Sequence, residues 1–143
     1  MPGIVVGVDG SEHSKPVLEW AMQEAAAHHA PLTVLTVHQV AGSFWTSTPT
    51  IYPADQPEAE KARQAAGEAV SQAAGRLGDA APASVTVRAV SGVPAQELIN
   101  ASSDADLVVV GLRGGGGFAG LLMGSVSEQV ARHAACPVVV VRG

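Results

Sequence analysis

The stretch at residues 107–127 reads LVVVGLRGGGGFAGLLMGSVS and joins three different patterns. It begins with the apolar run Leu107–Val110, which is typical of a buried strand. A glycine-rich segment follows, and a helical pattern begins at Ser125. Glycines let a backbone approach a ligand closely, and the N–H groups at a helix start attract anions. The stretch therefore predicts a strand, a loop and a helix, with an anion site where the helix begins.

Short β-branched runs of the same kind alternate with alanine-rich helical segments along the chain. The predicted strands are Gly3–Val8, Leu32–Val40, Val85–Ser91, Leu107–Gly111 and Val138–Arg142. The predicted helices are Ser14–His29, Pro57–Leu77, Pro94–Ser102 and Ser125–His133. This alternation predicts one domain over residues 1–143, a doubly wound α/β fold with a parallel sheet and helices on both faces. Ligands of such folds lie at the carboxyl ends of the strands, where the strand order reverses.

Composition excludes several classes of function. The formal charge is −5 and the eight basic residues are scattered, so nucleic acid is not an expected partner. The start of the chain lacks the features of a signal peptide, and no apolar run approaches the about 20 residues that cross a bilayer. The single cysteine, Cys136, has no partner for a disulfide. We therefore expect a cytoplasmic protein without a membrane span.

The spacing of the glycines distinguishes the loop from the common phosphate-binding motifs. It contains no GK[ST] tripeptide, so it is not a Walker A motif. It follows the fourth strand and no acidic βα unit comes after it, so it is not the dinucleotide fingerprint. What remains is Gly111, two residues, Gly114, nine residues, and then Gly124 with Ser125. Glycine content alone leaves a flexible surface loop as the alternative.

This G-x2-G-x9-G-S spacing resembles that of the ATP-binding members of the universal stress protein family. The resemblance extends over nearly the whole chain, through VVGVDGS at residues 5–11, the turn at Gly92, DLVVVG at residues 106–111 and CPVVVV at residues 136–141. It implies a five-stranded sheet in the order 3-2-1-4-5. It also implies an ATP-binding module for stress response or signalling.

The resemblance also implies a set of ligand-binding residues. The ribose and phosphates would contact Gly111, Gly114, Gly124, Ser125, Val126 and Ser127. Across the crevice, the ligand would be lined by Val8, Asp9 and Gly10, while Val37 would meet adenine. Arg113 either pairs with phosphate or is solvated.

Asp9 has two candidate functional roles and one structural alternative. At the end of the first strand, its carboxylate is expected either to bind a ribose hydroxyl or to orient a Mg²⁺ that is bound to the phosphates. The alternative is that it caps the first helix region. Ser14 and Ser125 are themselves expected to cap the first and fourth helices, and glycine at 124 is expected to leave room for phosphate and to allow a positive φ.

Several functions remain open from the sequence. A slow ATPase or phosphotransferase would need a positioned base, and none is visible. A binder of AMP or cyclic AMP, or a dimer scaffold that uses no nucleotide, would fit the same chain. The last predicted strand lacks charge and proline at a probable sheet edge, so a homodimer is expected through Val138, Val139, Val140 and Val141. The segment Ala41–Asp55 has no clear period and is expected to be a long loop, whose role the sequence leaves open.

Overall fold

The computed structural model describes residues 3–39, 55–112 and 124–142. In this part of the chain the strands are β1 (Ile4–Val8), β2 (Leu32–Gln39), β3 (Val85–Gly92), β4 (Leu107–Gly111) and β5 (Val138–Val141). The helices are α1 (Ser14–Ala27), α2 (Asp55–Leu77), α3 (Pro94–Ser102) and α4 (Ser125–His133), and a short 3₁₀ turn covers Gly78–Ala80.

The strands form one parallel sheet in the order β3-β2-β1-β4-β5. The predicted α/β class and the order 3-2-1-4-5 are therefore confirmed. The chain moves outward from β1 to β3 and then crosses back to β4 on the other side of β1. The strand order thus reverses between β1 and β4, where such folds form their crevice.

Alternation along the strands builds a core on each face of the sheet. Ile4 and Val6 of β1 point to one face and pack in the cluster that includes α1 and α2. Val5 points to the other face and packs with Leu98 of α3 and Val130 of α4. Both faces are covered, which explains why the strands are continuous apolar runs rather than alternating polar and apolar residues.

Gly7 of β1 marks a close approach between the sheet and α3. A Cβ at this position would lie 2.9 Å from Cδ1 of Leu98, closer than real Cβ contacts. The missing side chain therefore lets Leu98, which is buried, pack directly against the strand.

The element boundaries agree with the sequence patterns except near the ends. Helix α1 ends at Ala27, before the predicted His29, and α2 begins at Asp55, before the predicted Pro57. The rest of the predicted loop Ala41–Asp55 lies outside the described residues. No helix in the described ranges is long and apolar enough to cross a membrane.

Candidate functional site

The turn between β1 and α1 holds the carboxylate of Asp9 in a set of short hydrogen bonds. Oδ1 of Asp9 accepts from the backbone N–H of Ser11 at 2.9 Å and from its hydroxyl at 2.6 Å. The hydroxyl of Ser14 donates to the same oxygen at 2.6 Å, and in return accepts the backbone N–H of Asp9 at 3.0 Å. Gly10 turns the chain with a φ of +80°, a conformation that favours glycine.

These contacts correct the predicted role of Ser14. Helix α1 begins at Ser14, the preceding residue His13 is already in the right-handed helical region, and no side chain caps the helix. The Ser14 hydroxyl is directed instead to Asp9, so its effect is to organise the turn at the end of β1.

The two ends of the glycine-rich segment are fastened to each other and to the sheet. The N–H of Leu112 donates to the carbonyl of Val141 at 2.9 Å, and the N–H of Gly124 donates to the carbonyl of Leu112 at 2.8 Å. Gly111 is the last residue of β4. The predicted ligand residues Arg113 and Gly114 lie within residues 113–123, outside the described part of the chain.

Helix α4 begins one residue later than a serine cap would require. Gly124 is the cap residue, with φ −61° and ψ 155°, and Ser125 is the first helical residue, without a capping side-chain bond. Both the predicted cap at Ser125 and the predicted positive φ at Gly124 are therefore wrong. The first described intrahelical bond runs from the N–H of Glu128 to the carbonyl of Gly124 at 3.0 Å. Helix geometry thus leaves the N–H groups of Ser125, Val126 and Ser127 without intrahelical acceptors.

Ser127 contributes its hydroxyl to the protein interior. Its side chain is 2% exposed, and the hydroxyl donates to the carbonyl of Gly124 at 2.9 Å. This bond holds the first turn of α4 together. A ligand at this helix start is therefore offered backbone N–H groups and the exposed side chain of Ser125.

The carboxyl ends of β1 and β4 part from each other. Paired positions of these strands in the described structure end at Val6 and Val109, although β1 continues to Val8 and β4 to Gly111. The outer ladders continue to the strand ends, where Val8 pairs with a β2 residue and Gly111 with a β5 residue. A crevice therefore opens between β1 and β4, with the Asp9 turn following one strand and the glycine segment with α4 following the other.

Val37 lies on a different side from the other predicted residue of the second bank, Val8. The Val37 side chain packs in the cluster formed with α3 and α4, whereas Val8 packs in the cluster formed with α1 and α2. Contact between Val37 and adenine stays a prediction, and it would require the base to lie on the α3 and α4 side of the crevice.

A cavity of about 350 Å³ opens on the α1 and α2 side, next to the ends of β1 and β2. Its apolar wall includes Leu18 and small side chains of α2. The described residues that line it are Val8, Asp9, Gly10, Ser11, Ser14, Lys15, Leu18, Thr36, Ala62, Ala65, Ala66, Glu68, Ala69 and Gln72. Sequence reasoning missed Ser11 and Ser14 as partners of Asp9, although an aspartate with serines two and five residues later is a pattern typical of side-chain-bonded turns.

The charged groups of the site suit a magnesium ion only in company with phosphates. Within the described residues, no three histidine, cysteine or acidic side chains are grouped so that they could hold a metal ion. Asp9 supplies one carboxylate. Mg²⁺ typically binds proteins through one or two carboxylates and takes its remaining ligands from substrate phosphates and water. The donor set therefore fits Mg²⁺ bound with a nucleotide, and does not fit a metal bound by protein alone.

Comparison with known proteins places this fold and site in a family. The family model of the universal stress proteins matches residues 2–142. A universal stress protein of Mycolicibacterium smegmatis is 37% identical over 141 residues, which are 99% of this chain and 48% of the relative. One from Mycobacterium tuberculosis is 39% identical over 140 residues, 97% of this chain and 44% of the relative. The chain belongs to the universal stress protein family, and it spans about half the length of these relatives.

Solved structures give the same assignment. The universal stress protein UspA from Lactobacillus plantarum has a TM-score of 0.77 at 26% identity, covering 97% of this chain and 96% of that one. A universal stress protein in complex with cAMP has a TM-score of 0.65 at 30% identity, covering 97% and 94%. One from Archaeoglobus fulgidus in complex with dAMP has a TM-score of 0.61 at 25% identity, covering 96% and 95%.

Proposed function

We propose that this chain binds an adenine nucleotide, ATP with Mg²⁺, in the crevice between the carboxyl ends of β1 and β4. The observation that carries the proposal is the parting of these strands after Val6 and Val109. It leaves a carboxylate on one bank and the start of α4 on the other. This is the position at which doubly wound sheets bind their ligands.

The start of α4 is the proposed phosphate site. The N–H groups of Ser125, Val126 and Ser127 have no intrahelical acceptors, and the helix dipole favours negative charge at this end. Gly111 and Gly124 border the segment that joins β4 to α4. The proposed nucleotide contacts are Val8, Asp9, Gly10, Val37, Gly111, Arg113, Gly114, Gly124, Ser125, Val126 and Ser127.

A monophosphate ligand is the second candidate. The similar structures in complex with cAMP and dAMP carry one phosphate each, and both ligands contain adenine. Adenine is therefore the supported part of the ligand, and the number of phosphates is the part that distinguishes the two candidates. A cyclic or single phosphate would need fewer N–H donors than ATP and no metal ion.

Binding measured by calorimetry on nucleotide-free protein tests the proposal. ATP, AMP and cyclic AMP are titrated separately, each with and without Mg²⁺, and gently denatured protein is first examined by mass spectrometry for a retained ligand. The proposal expects the tightest binding with ATP and Mg²⁺. Tighter binding of cyclic AMP would select the second candidate, and no heat or thermal shift with any ligand at millimolar concentration would refute nucleotide binding.

The biological setting follows from the family and remains a proposal. We propose a single-domain, cytoplasmic module in which nucleotide binding alters partner choice in stress response or signalling. The single cysteine is consistent with a reducing compartment. The proposed activity is binding, and a slow ATPase would be recognised by release of phosphate in a single-turnover assay.

Dimerisation through β5 is the second part of the proposal. β5 is an outer strand of the sheet and consists of four valines. It contains no charge or proline to discourage pairing with another strand. Antiparallel pairing with a second copy would cover its outward N–H and C=O groups, and light scattering at tens of micromolar would report the resulting mass.

A further inference from the structure

We propose that Ser14 is a positioning residue for the nucleotide site, which holds the Asp9 carboxylate so that it meets a ligand through Oδ2 only. This inference rests on the proposed function, because it assigns Asp9 to the ligand. It adds a residue that does not touch the nucleotide, and it specifies which oxygen of the carboxylate does.

Ser14 fixes both ends of the Asp9 residue at once. Its hydroxyl donates to Oδ1 at 2.6 Å and accepts the backbone N–H of Asp9 at 3.0 Å. Because Ser14 is the first residue of α1, its Cα is held by the helix. The carboxylate is thus tied to a regular element and not only to its own turn.

Oδ1 has no capacity left for a ligand. It accepts two bonds from Ser11 and one from Ser14, three in all. A carboxylate oxygen offers about two lone pairs for such bonds. A ribose hydroxyl or a metal ion that binds this carboxylate therefore has to bind Oδ2, in a monodentate manner.

Monodentate binding has a consequence for the choice of metal. Mg²⁺ demands near-octahedral geometry and keeps several waters, so one carboxylate oxygen is sufficient. Ca²⁺ takes more oxygen ligands and commonly binds carboxylates through both oxygens. With Oδ1 occupied by serine donors, the turn favours Mg²⁺ over Ca²⁺ as the ion that accompanies the nucleotide.

The test compares calorimetric titrations of ATP in the presence of Mg²⁺ or Ca²⁺. The variants are Ser14→Ala, which removes the hydroxyl, Ser14→Thr, which retains it, and Ser103→Ala, a matched control at an exposed serine that ends α3. Ser11→Ala serves as a second variant, because the backbone N–H of Ser11 remains bonded to Oδ1. Asp9→Asn is combined with Ser14→Ala to complete a double-mutant cycle.

We expect Ser14→Ala to weaken binding of ATP with Mg²⁺ by about three- to tenfold, the range for loss of one hydrogen bond. Its preference for Mg²⁺ over Ca²⁺ should also decrease. Ser14→Thr should restore both properties, Ser11→Ala should have a smaller effect, and Ser103→Ala should match the wild type. In the Asp9→Asn background, Ser14→Ala should cause little further loss.

Two results would overturn the inference while leaving the proposed function intact. One is wild-type affinity and metal preference in Ser14→Ala. The other is an equal loss with and without Asp9→Asn, which would mean that Ser14 acts on stability and not through the carboxylate. If the wild-type protein itself binds no nucleotide, the proposed function fails and this inference fails with it.

Discussion

Replacing Gly124 with valine separates the space at the start of α4 from the stability of the fold. The backbone there has φ −61° and ψ 155°, a conformation that any residue adopts. The Gly124 N–H bond to Leu112 and the carbonyl bond from Glu128 both involve the backbone, so the substitution retains them. Gly124→Val should therefore fold, with a β-branched group placed immediately before the proposed phosphate donors.

The magnitude follows from the number of donors. N–H groups without intrahelical acceptors are presented by Ser125, Val126 and Ser127. Hydrogen bonds to a charged acceptor contribute about 1.5–3 kcal/mol each, so displacing phosphate from two of them costs about 3–6 kcal/mol. That corresponds to an affinity at least about 100-fold weaker. The cost to folding is smaller, about 1 kcal/mol for a worse cap residue, which lowers Tm by about 3–5 °C in a chain of this size.

Calorimetry with ATP and Mg²⁺, together with circular dichroism on the same samples, measures both effects. Gly75→Val is the matched control, because this exposed glycine lies in α2 and a Cβ there would meet nothing within 4 Å. Ser125→Ala, which removes one exposed hydroxyl and retains the backbone, should weaken binding by about tenfold or less. If Gly124→Val binds ATP like the wild type, phosphate does not lie at the start of α4.

Further predictions concern the fold, the cysteine and the sheet edge. Gly3→Ala should lower the free energy of unfolding by more than about 2 kcal/mol in urea melts, since φ is +90° and a Cβ would overlap a backbone carbonyl. The control Gly67→Ala, in a helix with open space around it, should be neutral or stabilise by about 0.5–1 kcal/mol. Burial raises the pKa of the Cys136 thiol. Less thiolate is then present at neutral pH, so iodoacetamide should react more slowly with native than with urea-unfolded protein, a difference that equal rates would contradict. Val140→Pro should yield a folded monomer in light scattering if β5 forms the dimer, because its N–H points away from β4, whereas Val139→Pro should disrupt the sheet itself.

The outward direction of the Val140 N–H follows from the neighbouring ladder. The carbonyls of Pro137 and Val141 accept bonds from β4 residues. In a strand, the N–H and C=O of one residue point to the same side and alternate between successive residues. Residues 137, 139 and 141 therefore face β4, and Val138 and Val140 face the open edge.

The fold could be predicted from the sequence because its signals are local and repeated. Val138–Val141 and Leu107–Val110 are short apolar runs between helical segments, and strands buried on both faces need such runs. The strand order came from family resemblance and not from periodicity, since alternation alone is compatible with other orders of a doubly wound sheet. The ends of helices were less certain because several adjacent polar residues can serve as a cap.

The site was predicted only in part, since side-chain direction depends on tertiary contacts. Glycine spacing identified Gly111 and Gly124 as the borders of the segment between β4 and α4. It could not indicate that Ser127 would turn inward to the carbonyl of Gly124, or that Ser14 would bond Asp9 instead of capping α1. Serine favours caps and turn bonds alike, so its sequence position left both outcomes open.

The two banks of the crevice have opposite electrostatic preferences, and this bears on the role of Asp9. The start of α4 attracts an anion, whereas the Asp9 carboxylate repels one. A triphosphate that reached from α4 toward Asp9 would therefore need a cation between them, and the net charge of −5 supplies no compensating basic surface. A ribose hydroxyl against Asp9 would need no cation, because a neutral donor is favourable to a carboxylate. Affinity for ATP that depends strongly on Mg²⁺ in the wild type, and weakly in Asp9→Asn, places Asp9 with the phosphates. Affinity that is indifferent to Mg²⁺ but lost in Asp9→Asn places it with the ribose.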